Sequence, residues 1–315
     1  MKSITWLYYA MMFVLRKKLH IKSKYSNNEM ISHKEASNYI EEKLLSGEPF
    51  MAGRMGYFEQ AVLRMYEFNK KKKYAIVMDN VYNCAGFFPN DTNLGYKFTD
   101  TMKEAYKCCD LLGCNFELLE DYFINTCMQK DAKLVRSFNI YDVCYDESSW
   151  SRALKGKRVL VVTPFTDSVE HQYKKREKLF TSNSDILPEF TLLTYKSLLT
   201  VGDLKDDRFS DWFEALSFME KEILAFDFDV ALLGCGAYGF ALAASIKRAG
   251  KVAIHLGGTL QLLFGIMGRR WDGSRFGGIE HMPAHIARYY NEDWIYPIEE
   301  KPKEANKVEY GPYWK

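Results

Sequence analysis

Asp229-Val230-Ala231-Leu232-Leu233-Gly234-Cys235-Gly236-Ala237-Tyr238-Gly239 decides how this chain folds. Val230 to Leu233 is apolar throughout, as a strand covered on both faces requires. A glycine turn follows, and a helical pattern runs from Ala237 to Ala249. A second apolar run comes next, Val252-Ala253-Ile254-His255-Leu256. Glycines at a strand end let the backbone approach a diphosphate, and the N–H groups at a helix start favour anions. Gly234, Gly236, Tyr238 and Gly239 are therefore candidate phosphate-binding residues. A tight strand-to-helix turn without a ligand uses the same spacing.

The alternation extends outward. Arg158 to Pro164 is an apolar strand, and a helix runs from Asp167 or Ser168 to Leu179. Phe190 to Tyr195 is the next strand and Trp212 to Leu224 the next helix. Towards the N-terminus, Ser32-x-x-Glu35 has capping-box spacing. It opens a helix through Ala36, Tyr39, Ile40 and Leu44 that Gly47-Glu48-Pro49 ends. A strand over Phe50 to Arg54 runs into Gly56, and a helix spans Glu59 to Asn69 with Ala61, Val62, Met65 and Tyr66 on one face. Residues 80–95 read as a loop and 97–135 as mainly helical. The pattern predicts an α/β, Rossmann-like fold, a mostly parallel sheet with helices on both faces. Ligands of such sheets sit at the carboxyl ends of the strands.

The 315 residues are 47% hydrophobic and 27% charged, enough for a sizeable core. A formal net charge of +2 gives no basis for binding nucleic acid. Aromatics reach 15%, which suits a large aromatic core and also sugar or base stacking. The seven cysteines, Cys84, Cys108, Cys109, Cys114, Cys127, Cys144 and Cys235, form no C-x-x-C pair and point to a reducing compartment. The Ile4 to Leu15 run is followed by Arg16-Lys17-Lys18. It falls short of the roughly 20 residues a spanning helix needs. No small-residue cleavage site follows it, which disfavours a secretory signal. Residues 1–30 are expected as an apolar and basic helix that packs on the domain or lies on a membrane surface through residues 1–20. Residues 31–315 form the main domain.

Three further stretches carry chemistry. Gly53-Arg54-Met55-Gly56-Tyr57-Phe58-Glu59 puts an arginine and a carboxylate where a strand becomes a helix. Such a pair can hold a phosphate and a metal, or supply a base; Glu59 could equally complement the helix dipole. Thr163 to His171 also follows a strand, with Asp167-x-x-Glu170 at capping-box spacing and Ser168 and His171 as candidates to face a ligand. His255-Leu256-Gly257-Gly258-Thr259-Leu260-Gln261 leads on to Arg269-Arg270-Trp271. The two arginines could neutralise a leaving diphosphate, and Trp271 could stack on a base or sugar. A nicotinamide site would need an acidic residue about 20 positions after its glycines, where His255 stands.

At these segments, Gly53 to Glu59, Val159 to Phe180 and Asp229 to Trp271, the sequence resembles the glycosyltransferases of the GT-D fold, a family once catalogued as a domain of unknown function. It looks most like members found with bacterial polysaccharide synthesis genes. The resemblance implies sugar transfer from a nucleotide-sugar donor to a glycan or lipid-linked acceptor, in the cytoplasm and peripherally on the inner membrane face. The site then expected has Glu59, Arg54 and His255 as catalytic residues. Gly56, Gly234, Gly236, Tyr238, Gly239, Gly257, Gly258, Gln261, Arg269 and Arg270 would hold the donor. Better-known members carry Asp-x-Glu after Arg-x-Gly and handle a metal-bound donor with it. This chain reads Arg54-x-Gly56-Tyr57-Phe58-Glu59, with Tyr57 at the Asp position. Glu59 is thus the matching ligand for a divalent cation, Mn or Mg, and Asp167 a candidate second carboxylate. Two alternatives stay open: a nucleotide-dependent oxidoreductase of Rossmann type, and a non-catalytic module on a degenerate transferase fold.

Overall fold

The computed structural model describes residues 2–20, 24–137, 149–204, 206–307 and 313–315; Cys144 lies outside them. The elements that build the sheet and its covers are, in chain order, α1 (Lys2–Lys18), β1 (Glu29–Met30), α2 (His33–Ser46), β2 (Phe50–Gly53), α3 (Tyr57–Glu67), α4 (Tyr74–Ala85), α5 (Gly95–Cys108), β3 (Leu111–Cys114), α6 (Glu120–Cys127) and β4 (Lys133–Arg136). The second half adds β5 (Arg158–Thr163), α7 (Thr166–Tyr173), α8 (Arg176–Leu179), β6 (Thr191–Lys196), α9 (Trp212–Leu224), β7 (Val230–Leu233), α10 (Tyr238–Arg248), β8 (Val252–His255), α11 (Leu260–Leu263) and α12 (Ala284–Ala287).

The eight strands form one parallel sheet in the order β1-β4-β3-β2-β8-β7-β5-β6. Alternate residues of each strand feed opposite faces, as a period of two demands. Met51, Leu112, Val162, Leu233 and Ala253 join a core with α3, α4, α5, α9 and α10. Phe50, Ala52, Leu111, Val161, Leu232 and Ile254 join the other core, with α2 and α11. This two-sided burial is why the strands read as unbroken apolar runs. The chain builds outward from β2 to β3 and β4, then returns from the far edge to set β8 against β2. The two halves therefore meet between β2 and β8, the switch point where such sheets open a crevice.

Three expectations change. Residues 97–135 contain β3 and β4 as well as helices, because short runs such as Leu111-Leu112-Gly113-Cys114 are not set off by the glycines and prolines that bound the other strands. The loop expected from Asn80 begins only at Gly86. Asn80 and Asn83 lie on the outer side of α4, while Val77, Met78, Val81 and Ala85 point inward. Asp167-x-x-Glu170 makes no cap: the start of α7 has no side-chain cap bond, Asp167 faces Lys196 at 3.8 Å, and Glu170 accepts from Thr194. The Ser32/Glu35 capping box is complete, Ser32 N–H donating to Glu35 at 2.8 Å and Glu35 N–H to Ser32 at 3.3 Å.

Candidate active site

A cleft opens at the carboxyl ends of β2, β5, β7 and β8, over the switch point. Among the described residues its lining holds one carboxylate, Glu59, and two guanidinium groups, Arg54 and Arg270. A pocket with that balance suits an anionic ligand.

Arg54 leaves β2 directly, and its guanidinium lies against Gly257: a Cβ on Gly257 would come within 2.8 Å of Nη2. Gly56 begins α3, and Glu59 in its first turn folds back so that any side chain on Gly56 would overlap its carboxylate. Glu59 is 8% exposed. Burial pushes its pKa up from the ordinary range, against its own backbone N–H and the Arg54 charge, which both pull it down. The carboxylate is thus a proton acceptor whose affinity for a proton has been raised by its surroundings.

His255 closes β8 beside them. Its Nδ1 lies 3.0 Å from the Arg54 carbonyl oxygen. A carbonyl only accepts, so Nδ1 carries the proton and Nε2 is a bare acceptor. Nε2 is buried and makes no hydrogen bond. Burial, then the Arg54 charge, lowers the pKa to about 3. The imidazole is held in its neutral form, so what it brings to the site is a ring without charge. We expect its ring proton resonances to hold constant from about pH 5 to 8, where an ordinary histidine titrates. A titration midpoint near 6.5 by NMR contradicts this environment. The linked stability has a definite sign: a histidine with a depressed folded pKa stabilises above the unfolded value, and that stability is lost as pH falls toward about 3.

The glycine turn is shaped largely by protein. Gly236 has φ +58°, and a Cβ there would stand 2.7 Å from the Ala85 carbonyl oxygen, which already accepts from Ala237 N–H at 2.9 Å. Gly239 does not line the cleft; it leaves room for the His255 ring, which any Cβ would strike. Gly234, Gly236 and Tyr238 do line it. Tyr238 is buried, stacked on Trp212, with its hydroxyl 2.9 Å from Thr200. Gly257, Gly258 and Gln261 also face the cleft, and the Gln261 Oε1 is buried without a partner.

Of the arginine pair only Arg270 reaches the cleft; Arg269 lies outside it, its backbone N–H bonded to the Trp314 carbonyl. Trp271 is buried in the core rather than presented for stacking. Asp167 is not in the lining, and Ser168 is turned to Glu299, donating to it through Nα and Oγ. His171 is exposed on α7, outside the cleft. Sequence reasoning missed the chain end. Tyr313 and Trp314 fold over the cleft, with Arg270 stacked 5.1 Å over the Tyr313 ring and Gln261 donating to the Tyr313 carbonyl at 3.3 Å. Leu198 to Val201, after β6, and Cys84 to Gly86, at the end of α4, complete the wall. Those contacts are non-local, and no spacing in the chain announces them.

No three His, Cys, Asp or Glu side chains come together as a metal site among the described residues. Glu59, folded over Gly56 and beside Arg54, is one carboxylate that could hold a Mn or Mg ion whose other oxygens came from donor phosphates and water.

Residues 31–263 match the model of the GT-D-like family, a GT-D fold-like domain. Two solved structures are similar: a selenomethionine-substituted structure of domain of unknown function 1792, and one described as showing that this highly conserved domain has a distinct glycosyltransferase fold. Each is 14% identical and covers 90% of this chain and 95% of its own, with TM-scores of 0.42 and 0.43. No curated protein matches the chain closely enough to count as a relative. The family match, which spans well over half of the sequence, carries the assignment: the chain belongs to the GT-D fold-like family.

Proposed function

We propose that this protein is a glycosyltransferase that moves a sugar from a nucleotide-sugar donor to a hydroxyl of a glycan or lipid-linked acceptor. The observation that carries the reading is Glu59, the one carboxylate among the described residues of the cleft lining, buried and sharing the cleft with Arg54 and Arg270 over the switch point. The acceptor oxygen attacks the anomeric carbon as the bond to the diphosphate oxygen breaks. Glu59 takes the acceptor proton; its raised proton affinity suits a base. Arg54 and Arg270 face the charge that develops on the departing diphosphate, where fixed positive charge in a partly dry site has its largest effect. Gln261, in the cleft lining, has an unpartnered Oε1 acceptor to offer a sugar hydroxyl. A place in bacterial surface polysaccharide synthesis, on the cytoplasmic face of the inner membrane, follows from the same reading.

The test is hydrolysis or transfer of UDP-, GDP- and dTDP-sugars, with and without Mn or Mg. Turnover of one donor class is expected, with Arg270→Ala lowering kcat/KM by roughly ten- to a thousandfold, as loss of one charge-stabilising donor does. No binding or turnover of any donor, or an Arg270→Ala variant equal to the parent, contradicts the reading. The metal arms decide whether a divalent cation, Mn or Mg, is brought in with the diphosphate.

A further inference from the structure

α1 packs on the domain by one side only. Trp6 meets Phe68 edge-on at 5.4 Å and Tyr9 meets Tyr122 at 5.4 Å. Lys2 donates to the Glu67 carbonyl at 2.8 Å, and Arg16 pairs with Asp121 at 2.5 Å. The other side is apolar and bare. Ile4, Leu7, Tyr8, Met11 and Val14 are 44–73% exposed. Their spacing of three and four residues puts them in one stripe along the helix. α1 has no acidic residue, and the acidic side chains that pair with it, Glu67 and Asp121, are taken up by Lys2 and Arg16.

The fold then brings a second basic segment beside the amino end of α1, which the sequence alone leaves some fifty positions away. Lys71, Lys72 and Lys73 are exposed in the turn after α3, and Lys70 Nζ sits 4.5 Å over the Trp6 ring. Ile76, 53% exposed, follows them at the start of α4. α1 thus has Lys70–Lys73 beside its amino end and Arg16, Lys17 and Lys18 at its carboxyl end. A second copy of the same face would bring like charges together. An anionic lipid surface accepts both parts: acyl chains take the stripe and headgroups take the lysines.

We propose that α1 and the Lys70–Lys73 turn form one membrane-docking face for anionic bilayers. The Arg16–Asp121 pair sets the basic end of α1 at the start of α6, just after β3, the end of the sheet where the cleft opens. Docking by this face therefore holds the cleft near the lipid surface. The inference goes beyond the reaction class and rests on it only for what the membrane would present to the site. No helix among the described residues is long and apolar enough to cross a membrane, so the attachment is to the surface.

The test is flotation of the full chain with vesicles of phosphatidylcholine alone, and of phosphatidylcholine mixed with phosphatidylglycerol. Binding to the anionic vesicles only is expected, weakened by added salt. K71Q/K72Q/K73Q should lower it on the order of a hundredfold, from about fivefold per lysine. L7E/M11E should abolish it, and L45E, at an exposed leucine on α2 away from this face, should leave it unchanged. The lysine variant and the salt series alter no packed residue and decide the matter if L7E/M11E folds poorly. No binding by the parent overturns the proposal. So does equal binding to both vesicle types, loss in L45E, or a concentration-dependent dimer that L7E/M11E dissolves while vesicles go unbound. Donor hydrolysis without lipid is read separately, so failure here and failure of the transferase reading are distinct results.

Discussion

Glu59→Gln is expected to lower sugar transfer by roughly 10²- to 10⁴-fold, the span that a positioned base supplies, while the protein stays folded. The substitution keeps the shape that lies over Gly56 and removes only the charge and the proton affinity. In the parent, kcat/KM should rise with pH through the Glu59 pKa, which burial sets above the ordinary carboxylate range. The stability effect runs the opposite way. A carboxylate whose folded pKa is raised contributes stability below its unfolded pKa, and this is lost as pH rises through the folded value. Ionised Glu59 therefore burdens the native state near neutral pH, and Glu59→Gln should melt at the same temperature as the parent or higher at pH 7. Steady-state rates across pH together with thermal melts check both halves. An unchanged rate removes Glu59 from the chemistry. A clearly lower melting temperature at pH 7 would show instead that its charge serves the start of α3.

Gly236→Val should cost more stability than the same change at a positive-φ glycine with open space around it. A β-branched residue at φ +58° is strained by about 1–3 kcal/mol. Its Cβ would also press on the Ala85 carbonyl from 2.7 Å, and that oxygen holds the Ala237 N–H at the start of α10. Such overpacking adds roughly 1–3 kcal/mol, for a total of about 2–6 out of a stability on the order of 5–15 kcal/mol. Gly250→Val is the control: φ is +84°, with nothing within 4 Å of the added Cβ, so only the backbone strain applies. Chemical denaturation of both variants separates the two contributions. Equal losses would mean that the Ala85 contact carries no weight.

How far the fold could be read from the chain depended on how local its determinants are. Trp212–Leu224 has the bounds its pattern predicts, because Asp211 caps it by accepting from Phe213 and Glu214 and its apolar residues recur at helical spacing. β5, β7 and β8 were legible for the same reason, each being a largely apolar run between turn residues. β3 and β4 were not, since Leu111–Cys114 and Lys133–Arg136 lack the flanking glycines and prolines that mark off the other short strands. The site divides in the same way. Arg54, Glu59, Gly234 and His255 stand at strand ends, where position along the chain implies position in the cleft. Tyr313 and Trp314 arrive from the chain end, and Arg269 and Arg270 part company because only one of two neighbours can face inward. The glycine turn shows a subtler divergence. Its spacing suggests backbone left open for phosphate, yet Gly239 is kept small by His255 and Gly236 by Ala85.

That turn is why a bound ligand decides the account. The most direct measurement is a crystal structure of the protein soaked with a nucleotide sugar. The account predicts the diphosphate over the β2/β8 switch point, between Arg54 and Arg270, with the sugar within reach of Glu59. A diphosphate bound elsewhere, or a nucleotide sugar that leaves this cleft empty at saturating concentration, would contradict it.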